Sequence, residues 1–140
     1  MACGERLLKK LAQTERALDK LEQVKDLKER LEEEILYEVC IKRFEYTFET
    51  LWKTVRLFLL EQKGLECNSP MDCFKSFYSV GLLEKSFGDY IPRVVRLRNE
   101  VVHIYDFSLA EKAYTSIMET ALPLFRAVHM KIREECQKED

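Results

Sequence analysis

The chain has 140 residues, of which 46% are apolar and 34% charged, and its formal net charge is −2. This length fits one domain spanning residues 1–140, and the apolar fraction is large enough to form a core. With only 4 Gly and 3 Pro there is little room for the turns of a β-sandwich or barrel, and the balanced charge argues against a protein that coats nucleic acid.

Apolar residues recur at helical spacing along most of the chain and predict five helices. The first covers residues 5–27 and carries a leucine stripe between charged faces. The second covers residues 32–62, has the widest apolar stripe, and is expected to end at Gly64. The third is short, over residues 70–80, with Ser69 as N-cap, Pro70 at the first helical position and Gly81 after its end.

The last two helices follow from a proline and a capping pattern. The fourth is predicted over residues 89–105, with Pro92 in its first turn, where the missing N–H costs little. Ser108 and Glu111 are spaced as a capping box for the fifth, over residues 109–137, which Pro123 should kink. Because the connections are short, consecutive helices are expected to be antiparallel. The sequence therefore predicts an all-α fold, an antiparallel up-and-down bundle of about five helices.

The cysteine and histidine content limits the chemistry that we expect. The five cysteines are odd in number and form no C-x-x-C pair, so we interpret them as reduced thiols of a cytoplasmic protein. Two histidines, His103 and His129, argue against a histidine-rich metal site, and we expect neither a metal nor a cofactor. The first residues lack an apolar run of signal-peptide length, and no stretch reaches the roughly 18 apolar residues of a membrane helix.

Most of the side chains capable of chemistry lie in one segment, VRLRNEVVHIYD, at residues 95–106. On one straight helix, Arg98 and His103 would lie about 140° apart and about 7.5 Å apart along the axis, so they would not reach the same atom. Asn99 would share a face with His103, and Tyr105 would share a stripe with Arg98. Two arrangements remain open. Either a cleft admits both side chains from its two sides, or a two-fold axis joins two subunits into a composite site.

These residue types suit phosphoryl chemistry without a metal. A histidine can take a proton from an RNA 2′-hydroxyl or give one to a leaving oxygen, and an arginine can hold the phosphate. Asn99 or Asp106 could fix the imidazole tautomer. The spacing Arg-x4-His is nevertheless common, and by itself it is equally consistent with surface polar residues and a histidine placed favourably at a helix end.

We interpret the other reactive side chains as structural rather than catalytic. Glu45, Glu49 and Lys53 follow one another at i,i+4 and are predicted to form a solvated ion-pair ladder. Trp52 is interpreted as part of the core, and His129 is expected to be exposed and inert. No Gly-rich phosphate loop occurs, which argues against an enzyme that uses a nucleoside triphosphate without a partner.

Four motifs occur in order along the chain: RFEYTFETLWK at residues 43–53, SPMD at 69–72, RNEVVHIYD at 98–106 and LPLF at 122–125. In their order and spacing they resemble the nucleotidyltransferase substrate-binding proteins of bacteria and archaea, a family of the HEPN superfamily. The resemblance extends over most of the chain and is far more specific than Arg-x4-His alone.

The resemblance implies a HEPN-type helical bundle that forms a homodimer, with a minimal nucleotidyltransferase as its partner. Many such pairs behave as toxin–antitoxin modules, in which the HEPN subunit resembles a metal-independent RNase with an Arg-x4-His motif, often extended by a tyrosine. That motif maps onto Arg98, His103 and Tyr105, with Asn99 and Asp106 beside them. In related pairs the nucleotidyltransferase attaches AMP to the tyrosine, so the resemblance suggests Tyr105 as an acceptor of AMPylation.

Two functions therefore remain open, one catalytic and one confined to binding. One is an enzyme, a toxin RNase that acts on tRNA or mRNA. The other is a non-catalytic accessory subunit that binds a nucleotide or substrate for the nucleotidyltransferase. A third, a helical scaffold, is supported only by the charged first helix. Cleavage of RNA by the pure protein, lost when His103 is changed, would distinguish the first function from the others.

Overall fold

The computed structural model describes residues 3–138, which form helices and contain no strand. The α-helices are α1 (Glu5–Glu22), α2 (Val24–Leu27), α3 (Glu33–Lys63), α4 (Pro70–Ser79), α5 (Tyr90–Glu100), α6 (Phe107–Ser116) and α7 (Leu122–Gln137). A 3-10 turn follows α5 at Val101–His103, and a π-helical turn, Ile117–Ala121, joins α6 to α7. The all-α prediction is confirmed, and the five predicted helices correspond to α1 with α2, α3, α4, α5, and α6 with α7.

The longest helix, α3, organises the bundle. Its 31 residues span about 46 Å, and it contacts α1, α4, α6 and α7. It runs antiparallel to α1, because the Thr47 hydroxyl donates to the Ala17 carbonyl at 3.3 Å while the Thr54 and Thr14 hydroxyls lie 3.0 Å apart. Within residues 3–138, no helix has the length and apolar character needed to span a bilayer.

Phenylalanine rings fill the centre of the core. The rings of Phe44 and Phe125 are stacked with centroids 5.9 Å apart, and Phe48 meets Phe125 and Phe74 edge-on at 6.2 and 5.9 Å. All four side chains are fully buried, and each such burial stabilises the fold by roughly 1.5–3 kcal/mol. This cluster holds α4 and α7 against α3.

The helix ends confirm some of the predicted signals and correct others. Ser69 caps α4 by accepting from the Asp72 N–H at 3.1 Å, and Gly64 ends α3 with a φ of 66°. The predicted capping box at Ser108 is wrong, because Asp106 is the N-cap of α6 and accepts from the Leu109 N–H at 2.8 Å. The backbone of Ile104 and Asp106 is extended, so α5 does not continue to residue 105 as predicted and ends at Glu100.

A kink is predicted at Pro123, and the structure has a π-helical turn directly before this residue. A proline nitrogen has no hydrogen and cannot donate to the carbonyl four residues earlier. Just before Pro123, the Leu122 N–H donates to the Ile117 carbonyl, one residue further back than in an α-helix. The helical run therefore continues through the proline with a local widening.

The prediction that all five cysteines are reduced thiols is wrong. The structure contains two disulfides, Cys3–Cys136 and Cys67–Cys73. The first joins residues 133 apart at the start of α1 and the end of α7, a pairing that no local spacing could reveal. Cys40 is a free, buried thiol, and burial raises its pKa to about 12, so it is not a nucleophile near neutral pH.

The expectation that His129 is exposed is also wrong. Its side chain is only 4% exposed, and its Nε2 lies 3.2 Å from the Leu11 carbonyl oxygen. Burial lowers the pKa of His129, which outweighs the opposite effect of the bond to Leu11. The cause is the packing of α1 against α7, which covers this face of the last helix.

Candidate functional site

Arg98 lies in the last turn of α5 and is held against α3. Its Nη2 donates to Glu49 Oε1 at 3.1 Å, and its guanidinium carbon lies 5.9 Å from the centroid of the Phe48 ring. The side chain is 29% exposed, and its Nε is buried without a hydrogen-bond partner. Arg98 is thus positioned by an aromatic face and a carboxylate, with one hydrogen-bonding group unused.

Glu49 makes contacts beyond the predicted ion-pair ladder within α3. It lies 3.8 Å from Lys53, as expected, but its carboxylate also accepts from Trp52 Nε1 at 3.2 Å and from Arg98. Trp52 itself is half-buried at the edge of the core. Glu49 therefore connects α3 to the end of α5, a contact that the spacing within α3 alone could not show.

Arg98 opens onto a groove of about 870 Å³ between α1 and α3. We call this surface the basic groove, because five cations line it against two carboxylates, Glu45 and Glu49. Sequence reasoning missed it, since its cations come from three helices. The cations are Arg16, Lys20, Lys42, Arg43 and Arg98.

His103 and Tyr105 occupy a different surface. His103 ends the 3-10 turn after α5, is exposed, and shares with Tyr105 a pocket of about 360 Å³ against α6. Tyr105 is 86% exposed, so its hydroxyl is accessible from solvent. On its other side Tyr105 lines a second pocket, of about 380 Å³, together with Lys42 and Glu45 of the basic groove. The surfaces of Arg98 and His103 are therefore connected through Tyr105.

One protomer does not bring Arg98 and His103 into a single pocket. The predicted stripe shared by Arg98 and Tyr105 is wrong, because α5 ends at Glu100 and Ile104 is extended, with φ −79° and ψ 120°. As a result Arg98 turns to α3, whereas His103 and Tyr105 lie beside α6. Of the two arrangements left open by the sequence, the cleft within one protomer is not formed by these pockets, because each contains only one of the two residues.

The two polar residues beside the motif have separate environments. Asn99 is exposed on α5, and Asp106 uses one carboxylate oxygen to cap α6. Within residues 3–138, no hydrogen bond joins either side chain to His103. In the same part of the chain, no three His, Cys, Asp or Glu side chains are grouped so that they could hold a metal ion.

Apolar side chains are exposed around the motif. Val102 is 59% exposed, Phe107 48% and Leu109 38%, and they flank Tyr105 in the chain. We call these three residues the apolar patch. Large apolar side chains that are exposed and close together in the sequence mark a candidate protein interface.

Comparison with known proteins decides the family. Residues 9–134 match the family described as nucleotidyltransferase substrate binding protein like. The chain belongs to this family. The search of curated proteins finds no match to this chain.

Solved structures share the fold of this family member over nearly its whole length. A Thermus thermophilus protein is 28% identical, with a TM-score of 0.71 over 89% of this chain and 99% of that one. A tri-AMPylated Shewanella oneidensis HEPN toxin, in complex with an MNT antitoxin, is 20% identical, with a TM-score of 0.73 over 94% and 99%. A toxin–antitoxin structure with AMP-PNP is 20% identical, with a TM-score of 0.70 over 93% and 99%. The chain therefore shares its helical fold with these three proteins.

Proposed function

We propose that this chain is the HEPN-type partner of a minimal nucleotidyltransferase and acts as the toxin of a toxin–antitoxin module, a metal-independent endoribonuclease. The observation that carries the proposal is the placement of His103 and Tyr105 on an exposed surface, next to the apolar patch and connected to the pocket of Arg98. Family membership and the fold of the toxin–antitoxin structures support it.

The proposed reaction uses Arg98 and His103. The RNA 2′-oxygen attacks the adjacent phosphorus while one histidine accepts its proton, and the 5′-oxygen leaves with a proton from a second histidine. The products are a 2′,3′-cyclic phosphate and a 5′-hydroxyl. Arg98 would hold the phosphate and stabilise the added charge of the transition state. Asn99 and Asp106 are proposed to support the orientation of the motif.

A homodimer would supply the second histidine. Arg98 and His103 line separate pockets in one protomer, and a two-fold axis through the apolar patch would bring the motif of one subunit towards that of the other. Sedimentation equilibrium at micromolar concentration should show a dimer, and Val102→Asp should weaken it. A stable monomer of the unaltered protein that still cleaves RNA would exclude the composite site.

The cleavage reaction is tested with the pure protein and RNA. His103→Ala and Arg98→Ala should each abolish cleavage and growth arrest while the helical circular dichroism is retained, and activity should persist in EDTA. Arg96→Ala is the matched control, because Arg96 is exposed on the same helix and lines none of the pockets around the motif. Cleavage that survives without His103, or that needs Mg²⁺, would contradict the mechanism.

We propose that the nucleotidyltransferase AMPylates Tyr105. The Tyr105 oxygen would form a bond to the α-phosphorus of ATP, the bond to the β-phosphate would break, and pyrophosphate and the phenolic proton would leave. The adduct would add a negative phosphodiester and a base at Tyr105, on the surface that connects the pockets of His103 and Arg98, and would repel the RNA backbone there. The 86% exposure of Tyr105 supports its accessibility.

Mass spectrometry tests this modification after incubation with the partner, ATP and Mg²⁺. A mass gain of one AMP should map to the peptide containing Tyr105 and disappear in Tyr105→Phe. Tyr46→Phe is the matched control, because Tyr46 is also exposed, at 53%, but lies on α3. Modification at another residue, or none, would end the proposal.

The alternative function is a non-catalytic accessory subunit that binds a nucleotide or substrate for the nucleotidyltransferase. The description of the family favours it. A tight complex with the transferase, without cleavage of RNA by the free chain, would support this function instead. Either function implies a cytoplasmic location, where structural disulfides such as these two are rare outside hyperthermophiles.

A further inference from the structure

The charged side chains of α1 lie on two sides of the helix, one facing α7 and the other facing α3. On the α7 side, Arg126 binds Asp19 and Glu22 at 3.1 and 3.2 Å, and Arg133 binds Glu15 at 3.1 Å. These pairs neutralise the acidic side of α1. On the α3 side the cations of α1 line the basic groove, where the carboxylates are in the minority.

The cationic surface continues beyond the basic groove towards the start of α1. A further pocket of about 310 Å³ on the same seam is lined by Arg6 and Lys10 of α1 and by Lys53 and Arg56 of α3, with Glu66 as its single carboxylate. From Arg6 to Lys20 the seam runs about 21 Å along the helix axis. Nine cations against three carboxylates thus line one side of a chain whose net charge is −2.

An aromatic side chain stands within this cationic surface. Tyr46 lines the basic groove, is 53% exposed, and its hydroxyl accepts from Gln13 Nε2 at 3.0 Å. A positively charged groove with an exposed aromatic ring is the combination that proteins use to bind single-stranded nucleic acid, because the cations follow the phosphates and the ring stacks on a base.

An acidic protein surface is the other partner that such a groove could attract. The apolar residues that a protein interface needs lie elsewhere, in the apolar patch beside Tyr105. The basic groove instead presents long cations in a row, and among residues 3–138 Ala17 is its only aliphatic lining residue. This distribution favours a linear polyanion.

We propose that the seam between α1 and α3 binds a single strand of RNA and guides it to Arg98. The inference rests on the proposed RNase function and adds its substrate path. Phosphates follow the cations from Arg6 towards Lys20, and a base stacks on Tyr46. Arg98 binds Glu49, which also pairs with Lys53 of the second pocket, so the strand meets Arg98 where the two pockets adjoin and then follows the basic groove to Lys42 and the pocket of Tyr105.

Fluorescence anisotropy with a labelled single-stranded 2′-O-methyl RNA tests the path, because this probe binds but cannot be cleaved. Arg16→Ala/Lys20→Ala should weaken binding at least tenfold and reduce the slope of log K against log salt by about 1.4, or about 0.7 for each lost phosphate contact. Lys75→Ala/Lys85→Ala, two exposed cations outside the seam, is the matched control and should bind like the unaltered protein.

The role of Tyr46 is tested separately from that of the cations. Tyr46→Ala should weaken binding roughly 5- to 150-fold with no change in the salt slope, since one stacked base contributes about 1–3 kcal/mol. Tyr46→Phe keeps the ring and should bind nearly normally. Unchanged circular dichroism and thermal midpoint would show that each variant is folded.

The outcomes separate this inference from the proposed RNase. RNA binding and a salt slope unchanged in Arg16→Ala/Lys20→Ala would overturn the path, even if cleavage still required His103. So would a double variant that keeps RNA binding but no longer sediments with the nucleotidyltransferase, because the groove would then be a protein interface. Binding that depends on the groove, in a protein that cleaves no RNA, would support the path and refute the RNase.

Discussion

Replacing both Cys3 and Cys136 by alanine should lower the free energy of unfolding by about 5 kcal/mol and leave the helical fold in place. The native contacts around this disulfide do not depend on it, since Arg133 and Arg126 already tie α7 to α1. The loss arises in the unfolded state, because the disulfide joins residues 133 apart and restricts almost the whole chain.

The second disulfide provides the comparison that tests this reasoning. Cys67 and Cys73 are separated by only 6 positions, and closing so short a loop is worth about 2 kcal/mol in the same chain-entropy treatment. Cys67→Ala/Cys73→Ala should therefore destabilise the protein by less than half as much as the change at Cys3 and Cys136. Against a typical total of about 5–15 kcal/mol, the long-range disulfide is a large share of the stability.

Guanidinium unfolding followed by circular dichroism measures both effects. With a slope near 4 kcal/mol per molar, loss of the long-range disulfide should move the midpoint down by about 1 M. Titration of thiols in the unfolded, unreduced protein should find one, Cys40, and none in Cys40→Ala. Five reactive thiols, or equal midpoints for the two double variants, would refute the reasoning.

Three further predictions concern single side chains. Burial lowers the pKa of His129 below 6.5, so the unfolded chain binds the proton more readily than the folded protein. The free energy of unfolding should therefore be highest above about pH 6.5 and should fall as the pH drops towards the folded-state pKa. His129→Gln should flatten that slope in urea unfolding at a series of pH values, and an unchanged slope would contradict this assignment. Glu49→Gln should release Arg98 and remove a carboxylate from the basic groove, so the RNA affinity measured by anisotropy should rise severalfold. The free energy of unfolding should fall by less than about 1 kcal/mol. Weaker RNA binding by this variant would contradict the proposed path. Phe125→Ala should cost about 3–5 kcal/mol, because its ring is fully buried against Phe44, and a loss under about 1 kcal/mol by guanidinium unfolding would mean that the cluster is not central to the core.

In the proposed function, the apolar patch and the basic groove would bind different partners. Val102, Phe107 and Leu109 are suited to a second copy of the chain or to the nucleotidyltransferase, whereas the cations of the groove are suited to RNA. Tyr105 lies between the two surfaces. An AMP group on Tyr105 would add bulk and negative charge next to both surfaces. The proposed AMPylation is therefore expected to control access to Arg98.

Features that depend on near neighbours along the chain could be predicted from the sequence. The apolar stripe of α3, its end at Gly64 and the cap at Ser69 are set by residues within about one turn of each other, so periodicity and capping rules predict them. The grouping of Arg98, His103 and Tyr105 in one segment is likewise visible in the sequence. Their assignment as a motif depended on the family resemblance rather than on spacing.

The contacts of these side chains depend on how the helices pack, which periodicity and capping rules do not show. Arg98 binds Glu49 across 49 positions of the chain, Cys3 pairs with Cys136, and His129 is buried under Leu11 from α1. Such contacts depend on which helix faces pack together, and a helical period shows that a face is apolar without naming its neighbour. The basic groove has the same origin, because cations from three helices become one surface only when α1, α3 and α5 are packed side by side.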